Sequence, residues 1–356
     1  MAVLTEEQTM LRDMAREWAD NESPVTAFRK MRNGAPASFY DPAAWAAQAE
    51  MGWAGILVPE EHGGVGMGYL SLGLVLEQLG RNLAATPLAA TAAATSAILI
   101  GGSDAQKAKW LPRIAAGEVV AALAIDEGPR FAPDRIATSV SGGKLTGVKE
   151  FVAEGDSAQL FVVAADDDLY LVEAGEGVTR ATRKLADFRS HAQIGFAGAP
   201  AERLEGGEDL ITQVTDRAAI GIAAEMLGMA ESAFAQTNDY LKTRVQFGQV
   251  LASFQALQHR MAKMFTELEL MRSAVEAGLE AADSGRANIS QEASLAKALA
   301  NETLHLVSRE MIQLHGGIGM TDEHDAGFYL KRARVLEQMW GNAAWHRERF
   351  ARLNGY

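Results

Sequence analysis

The sequence predicts an α+β protein with a helical N-terminal third, a middle domain of antiparallel strands and a C-terminal bundle of long helices. Three observations carry this. Near the N-terminus, Leu11, Met14, Ala15 and Trp18 fall at i, i+3, i+4 and i+7, the spacing of one buried helix face. From Val119 the pattern changes to short apolar runs separated by Gly, Ser and Asp. After about Leu210 helical periodicity returns in long Ala- and Met-rich segments with short breaks. At 356 residues the chain is too long for one ordinary core, and the expected limits are 1–116, 117–207 and 208–356.

The elements follow in order. Thr5 to Gln8 has the form of a capping box, in which the two side chains satisfy each other's free amide donors. Further helices are expected over residues 42–51, 69–79 and 105–116. The glycine density of residues 59–68 makes that segment a loop. Strands are expected over residues 119–125, 136–140, 151–153, 160–164 and 169–172, with Gly142-Gly143 as a hairpin turn, together forming an antiparallel barrel or sandwich. Helices over residues 211–244, 254–282 and 290–314 close the chain, with Asp283-Ser284-Gly285 as the break between the second and third.

Composition excludes several functions. A formal net charge of -13 argues against a nucleic-acid groove, because phosphates would be repelled. With no cysteine there is no disulfide, thiolate metal site or cysteine nucleophile. The first eighteen residues carry charges throughout and lack an apolar core segment, so no signal peptide is expected and the location is read as cytoplasmic. No apolar run reads as a bilayer span. The seven histidines are scattered without metal-ligand spacing, and no Gly-x-Ser-x-Gly elbow occurs. Gly63-x-x-Gly66-x-Gly68 lacks the preceding strand and the lysine of a phosphate loop, so it is read as a structural turn.

Two spaced motifs are specific. Arg244-Val245-Gln246-Phe247-Gly248 is followed by Phe254-Gln255, and Gln313-Leu314-His315-Gly316-Gly317 is followed by Glu323. Together they resemble signatures of the acyl-CoA dehydrogenase superfamily, whose members use FAD. Leu79-Gly80-Arg81, Thr86-Pro87-Leu88 and the α, β, α order extend the resemblance over nearly the whole chain. It implies that Arg244, Gln246, Phe247, Gln255, Gln313, Gly316 and Gly317 touch the FAD of a neighbouring subunit. An arginine suits a pyrophosphate oxygen, and glycines admit close backbone approach. In the strand domain, Gly147-Val148-Lys149-Glu150-Phe151-Val152-Ala153 resembles the strand against the flavin ring, with Phe151 beside it or else an ordinary strand aromatic. Asp126-Glu127-Gly128 stands for the family's Thr-Glu-Pro; Ala132 and Pro133, before Asp134, replace its Gly-Ser.

The family's base is a glutamate at one of two positions. Counting twenty-four residues on from Gly316 gives Trp340, followed by Gly341; counting twenty-six back from Arg244 gives Ala218, with Ala219 for the adjoining arginine. Neither accepts a proton. Glu225 and Glu337 are the nearby substitutes, read alternatively as a polar contact between helices and a solvated charge. The run from His346 to Arg352 is read as the solvated face of a last helix, or as a hold on an anionic cofactor tail. The resemblance therefore implies α,β-dehydrogenation of an acyl-CoA by a homotetramer or a heterotetramer with a related subunit, an electron-transfer flavoprotein taking the electrons. Its alternatives are a non-catalytic or half-site subunit, and a flavin monooxygenase of the same fold.

Overall fold

The structure is a computed structural model, and it describes residues 4–34, 39–207 and 209–356. Six helices come first: α1 (Glu6–Glu22), α2 (Val25–Gly34), α3 (Pro42–Glu50), α4 (Gly68–Arg81), α5 (Leu88–Gly101) and α6 (Asp104–Ala115). Thr5 forms the expected capping box with Gln8. The buried stripe of α1 is Leu11, Ala15 and Ala19, whereas Met14 is 41% exposed, which corrects the expected face by one position. Helices α2 and α5 were not expected. Helix α5 is apolar almost all round and buried, so it carries no amphipathic period to read.

Eight strands follow: β1 (Ala121–Ala124), β2 (Ser139–Ser141), β3 (Lys144–Ala153), β4 (Leu160–Ala165), β5 (Asp168–Glu173), β6 (Val178–Thr182), β7 (His191–Pro200) and β8 (Glu202–Arg203). They form two sheets, ordered β1-β4-β5-β8 and β2-β3-β7-β6. Every pairing is antiparallel except β1 with β4, which is parallel. The purely antiparallel expectation fails at that one pair, because β1 and β4 are far enough apart in the chain for a crossover. Gly142 and Gly143 turn β2 into β3 with φ of +58° and +74°, the two positive angles of a tight hairpin.

The last part contains α7 (Leu210–Thr243), a hairpin of β9 (Val245–Gln246) and β10 (Gln249–Val250), then α8 (Gln255–Ser284), α9 (Ile289–His315), α10 (Ala326–Leu336) and α11 (Ala343–Leu353). Gly285, left-handed at φ +60°, ends α8 where the Asp-Ser-Gly break was expected. Helix α7 is long and apolar enough to cross a bilayer by length and composition, but 83% of its apolar window is buried within the protein, the mark of a core helix.

By packing, the chain forms two compact units. One comprises Arg29–Leu72 and Ala85–Gly221; the other comprises Met1–Phe28, Gly73–Ala84 and Ile222–Tyr356. In the first, the buried α5 packs on β1 and β4. Its loop over residues 59–68 is held by its own backbone, with Val65 N–H donating to Gly55 O (3.1 Å), Gly66 to Val58 O (2.9 Å) and Met67 to Ile56 O (2.9 Å). Those amides are spent inside the protein, as a structural turn requires. In the same unit Thr86 Oγ1 donates to Gln48 Oε1 at 2.6 Å. In the second unit, a Cβ on Gly80 would lie 2.2 Å from Glu225 O and one on Gly228 only 1.8 Å from Glu77 O. The Leu79-Gly80-Arg81 motif is thus a close helix crossing, locked by Arg81 Nη1 to Glu231 Oε2 at 3.0 Å.

Candidate active site and cofactor contacts

The two signature motifs meet at one end of the helical unit. Tyr240, in the last turns of α7, stacks on His315 with centroids 4.4 Å apart and donates from its hydroxyl to His315 O at 3.3 Å. His315 is itself buried and donates from Nδ1 to Met311 O at 2.8 Å. Burial holds its pKa below the ordinary histidine value, the Met311 carbonyl opposing and nearby His324 adding to the shift. A neutral stacked imidazole therefore joins the end of α7 to the end of α9. Tyr240 belongs to neither motif, so nothing in the residue pattern singles it out.

From this joint two segments project. Phe247 and Gly248 turn the β9–β10 hairpin with φ of +53° and +79°. Glycine takes such an angle freely, while phenylalanine is strained in it. Phe247 is nevertheless 88% exposed. Arg244, Gln246, Gln255, Gln313, Gly316, Gly317 and Glu323 are all exposed as well. The Arg244 guanidinium makes no hydrogen bond or ion pair among the described residues. Nothing lies within 4 Å of where a Cβ would sit on Gly316 or Gly317, so the backbone there is open. An unpaired guanidinium beside uncovered backbone fits the phosphates of a dinucleotide.

In the strand-bearing unit the Thr-Glu-Pro counterpart is built differently. Glu127 accepts from Lys149 Nζ (2.7 Å), Ala137 N (2.7 Å), Thr138 N (2.9 Å) and Thr138 Oγ1 (2.6 Å). Burial works against its charge, but these donors prevail and hold its pKa down at about 2. Lys149 is fully buried and also donates to Ile125 O at 3.1 Å. The Gly-x-Lys lysine is thus a structural pillar. Asp126 is the opposite case: its Oδ1 is buried with no partner, and burial raises its pKa to about 7 against the pull of Lys149. Phe151 lies at a bulge between Lys149 and Val152, with φ +52° and 38% exposure. Of the two readings of Phe151, an ordinary core aromatic is the one this conformation disfavours. Asp134 is exposed, and neither Ala132 nor Pro133 supplies a hydroxyl.

Both base positions are apolar and buried, Ala218 at 4% exposure and Trp340 at 5%. Glu225 accepts from Arg332 Nε (3.0 Å) and Nη2 (2.8 Å), so it is the contact between α7 and α10. Glu337 is not a solvated charge: it is buried, and its Oε2 accepts from Arg334 Nη1 (3.0 Å) and lies 3.3 Å from His305 Nδ1. Nor is His346 on a solvated face, being 1% exposed with Nε2 donating to Trp340 O at 2.9 Å. Arg347 and Arg352 make the exposed face of α11 basic, while the buried His346 is turned inward from it.

The comparisons agree with this geometry. The acyl-CoA dehydrogenase N-terminal domain model matches residues 5–118, and the C-terminal domain model matches residues 205–353. The acyl-CoA dehydrogenase IpdE2 of Mycobacterium tuberculosis is 32% identical over 340 residues, covering 94% of this chain and 93% of its own. A variant of the Tcur3481-Tcur3483 steroid ACAD superposes with a TM-score of 0.90 at 28% identity, over 98% of both chains. The ChsE4-ChsE5 complex from Mycobacterium tuberculosis does so with 0.91 at 25% identity, over 100% of both. Fold and site together define a flavoprotein oxidoreductase. The chain belongs to the acyl-CoA dehydrogenase family, which acts on the CH–CH bond of acyl-CoA thioesters with FAD as cofactor.

Proposed function

We propose that this chain is the base-lacking subunit of a heteromeric acyl-CoA dehydrogenase, lending Arg244, Phe247, Gln313, Gly316 and Gly317 to the FAD of a related, glutamate-bearing subunit. FAD, when bound, would supply the hydride acceptor for the β-carbon, and a carboxylate of the related subunit would take the α-proton. The observation that carries the reading is a contrast within one chain. The residues that would serve a neighbour's cofactor are exposed and unspent. Both base positions hold buried side chains that accept no proton. The loss of hydroxyls at Asp126, for the family's Thr, and at Pro133, for its Ser, adds to it. The relatives that form complexes of two different chains support the same reading.

A heterotetramer, a cytoplasmic location compatible with the absence of cysteine, and an electron-transfer flavoprotein as acceptor belong to this proposal. The relative described as a steroid ACAD makes steroid-derived acyl-CoA thioesters the first substrates to try. The test is co-expression with a glutamate-bearing relative from the same genome. A stable complex with half-stoichiometric flavin is expected. A yellow homomer with one flavin per chain and rapid bleaching by an acyl-CoA would overturn the proposal.

A further inference from the structure

Lys297 sits in α9 on a stripe with Ala293, Ala296 and Ala300, and it is fully buried. Burial lowers the pKa of its amino group to about 7 against the pull of Glu337, and that nitrogen meets three acceptors: Asn301 Oδ1 at 2.7 Å, Leu336 O at 2.9 Å and Gly341 O at 3.2 Å. Asn301 Nδ2 also donates to Gly341 O at 3.3 Å. The intervening carbonyl, Trp340 O, accepts from His346 Nε2 at 2.9 Å. Burial and the charge of Lys297 push the His346 pKa down to about 3, so the ring is neutral and its Nε2–H points at that carbonyl.

The end of α10 and the carbonyls of residues 340 and 341 are therefore each tied to a buried donor on α9 or α11. Between these ties Trp340 is held at φ +52°, a left-handed angle that its side chain disfavours. Gly341, at φ +103°, leaves no room for a side chain, since a Cβ would stand 2.6 Å from His346 Nε2. Every tie is made to backbone, and none depends on the side chain at 340.

We propose that Lys297, with His346, is the positioning residue of the turn that carries residue 340, a rigid mount that fixes the direction of that side chain whatever its identity. This rests on the reading of 340 as the position of the family's base. This chain then keeps the mount while carrying an indole on it, and a carboxylate substituted there inherits a set backbone.

The test uses the full chain labelled with 5-fluorotryptophan, residue 340 being assigned among the six tryptophans through Trp340→Phe. In Lys297→Met the fluorine resonance of residue 340 is expected to shift or broaden while those of Trp18, Trp45, Trp53 and Trp110 keep their positions. Amide exchange over residues 336–342 should rise about tenfold or more, with exchange in α8 unchanged. In Trp340→Glu the exchange of the same turn should match the wild type. A Lys297→Met chain with an unmoved residue-340 resonance and wild-type exchange in the turn would overturn the proposal. So would a turn loosened by Trp340→Glu. If Lys297→Met does not fold, Asn301→Leu removes one acceptor of Lys297 and one donor to Gly341 O, and the same two readouts decide. Neither readout needs flavin or substrate, so they stand or fall apart from the half-site reading.

Discussion

The exposed end around Arg244 and the buried turn at Trp340 belong to the same helical unit and carry opposite signatures. At the first, polar side chains and glycines face outward with no side-chain partner among the described residues, and Phe247 is both strained and exposed. At the second, every backbone carbonyl from 340 to 341 is paired, and the strained residue is buried. Strain of this kind persists only where surrounding contacts impose it. At Trp340 those contacts are buried donors on α9 and α11; at Phe247 they are the exposed β9–β10 pairs and the ring of Phe254, 6.1 Å away between centroids. The second region is closed by the protein's own fold, and the first is left open by it.

Four measurements test how the open and closed parts of the molecule behave. The largest effect concerns catalysis: acyl-CoA should reduce flavin in this chain alone about 10²–10⁴-fold more slowly than in a base-bearing relative, the usual cost of losing a general base. Stopped-flow bleaching at a family-typical rate would show that another base exists, and Glu225→Gln and Glu337→Gln would then find it or dismiss both.

Next in size, Lys149→Met should lower unfolding free energy by about 3–5 kcal/mol in a denaturant melt, because it leaves the Glu127 carboxylate without its buried partner. A loss below about 1 kcal/mol would mean that the pair is solvated.

Asp126 supplies a pH test with a definite sign. Its folded pKa of about 7 lies above the ordinary value near ~4, so the folded state binds the proton more tightly. Its contribution to stability is complete below about pH 4 and is lost as pH rises through about 7. Asp126→Asn should therefore stabilise the protein by roughly 2–4 kcal/mol at pH 8 relative to its effect at pH 4. A difference between variant and wild type that stays constant from pH 4 to 8 would show an ordinary, hydrated carboxylate.

Smallest is the expected effect of Arg244→Ala. Losing one charge-assisted contact should weaken flavin retention by about 1.5–3 kcal/mol, one to two decades in affinity, in whichever assembly binds flavin. Unchanged flavin content after dialysis would remove Arg244 from the cofactor site.

Much of the fold was legible. The capping box at Thr5, the Gly142-Gly143 hairpin and the break at Gly285 each came from local chemistry that acts on a few neighbouring residues. Helix α5 was not legible, because an element buried on all sides has no polar face to set a period. Strands β6 and β7 were missed for another reason: β6 is largely exposed and β7 is threaded with Gly and Ala, so neither shows clear alternation.

The family resemblance, the order of helices and strands, and the lack of a proton acceptor at residues 218 and 340 could all be read from residue order alone. Those are facts of residue identity at fixed spacing, and no folding is needed to read them. What the remaining ionisable groups do became visible in the packed molecule. Glu225, Glu337, Lys149, Lys297 and His346 are all charged or titratable letters in the sequence, yet each is buried against particular partners. Desolvation makes such a group costly unless a donor or acceptor stands within about 3 Å. Whether one does depends on helices and strands brought together from distant parts of the chain.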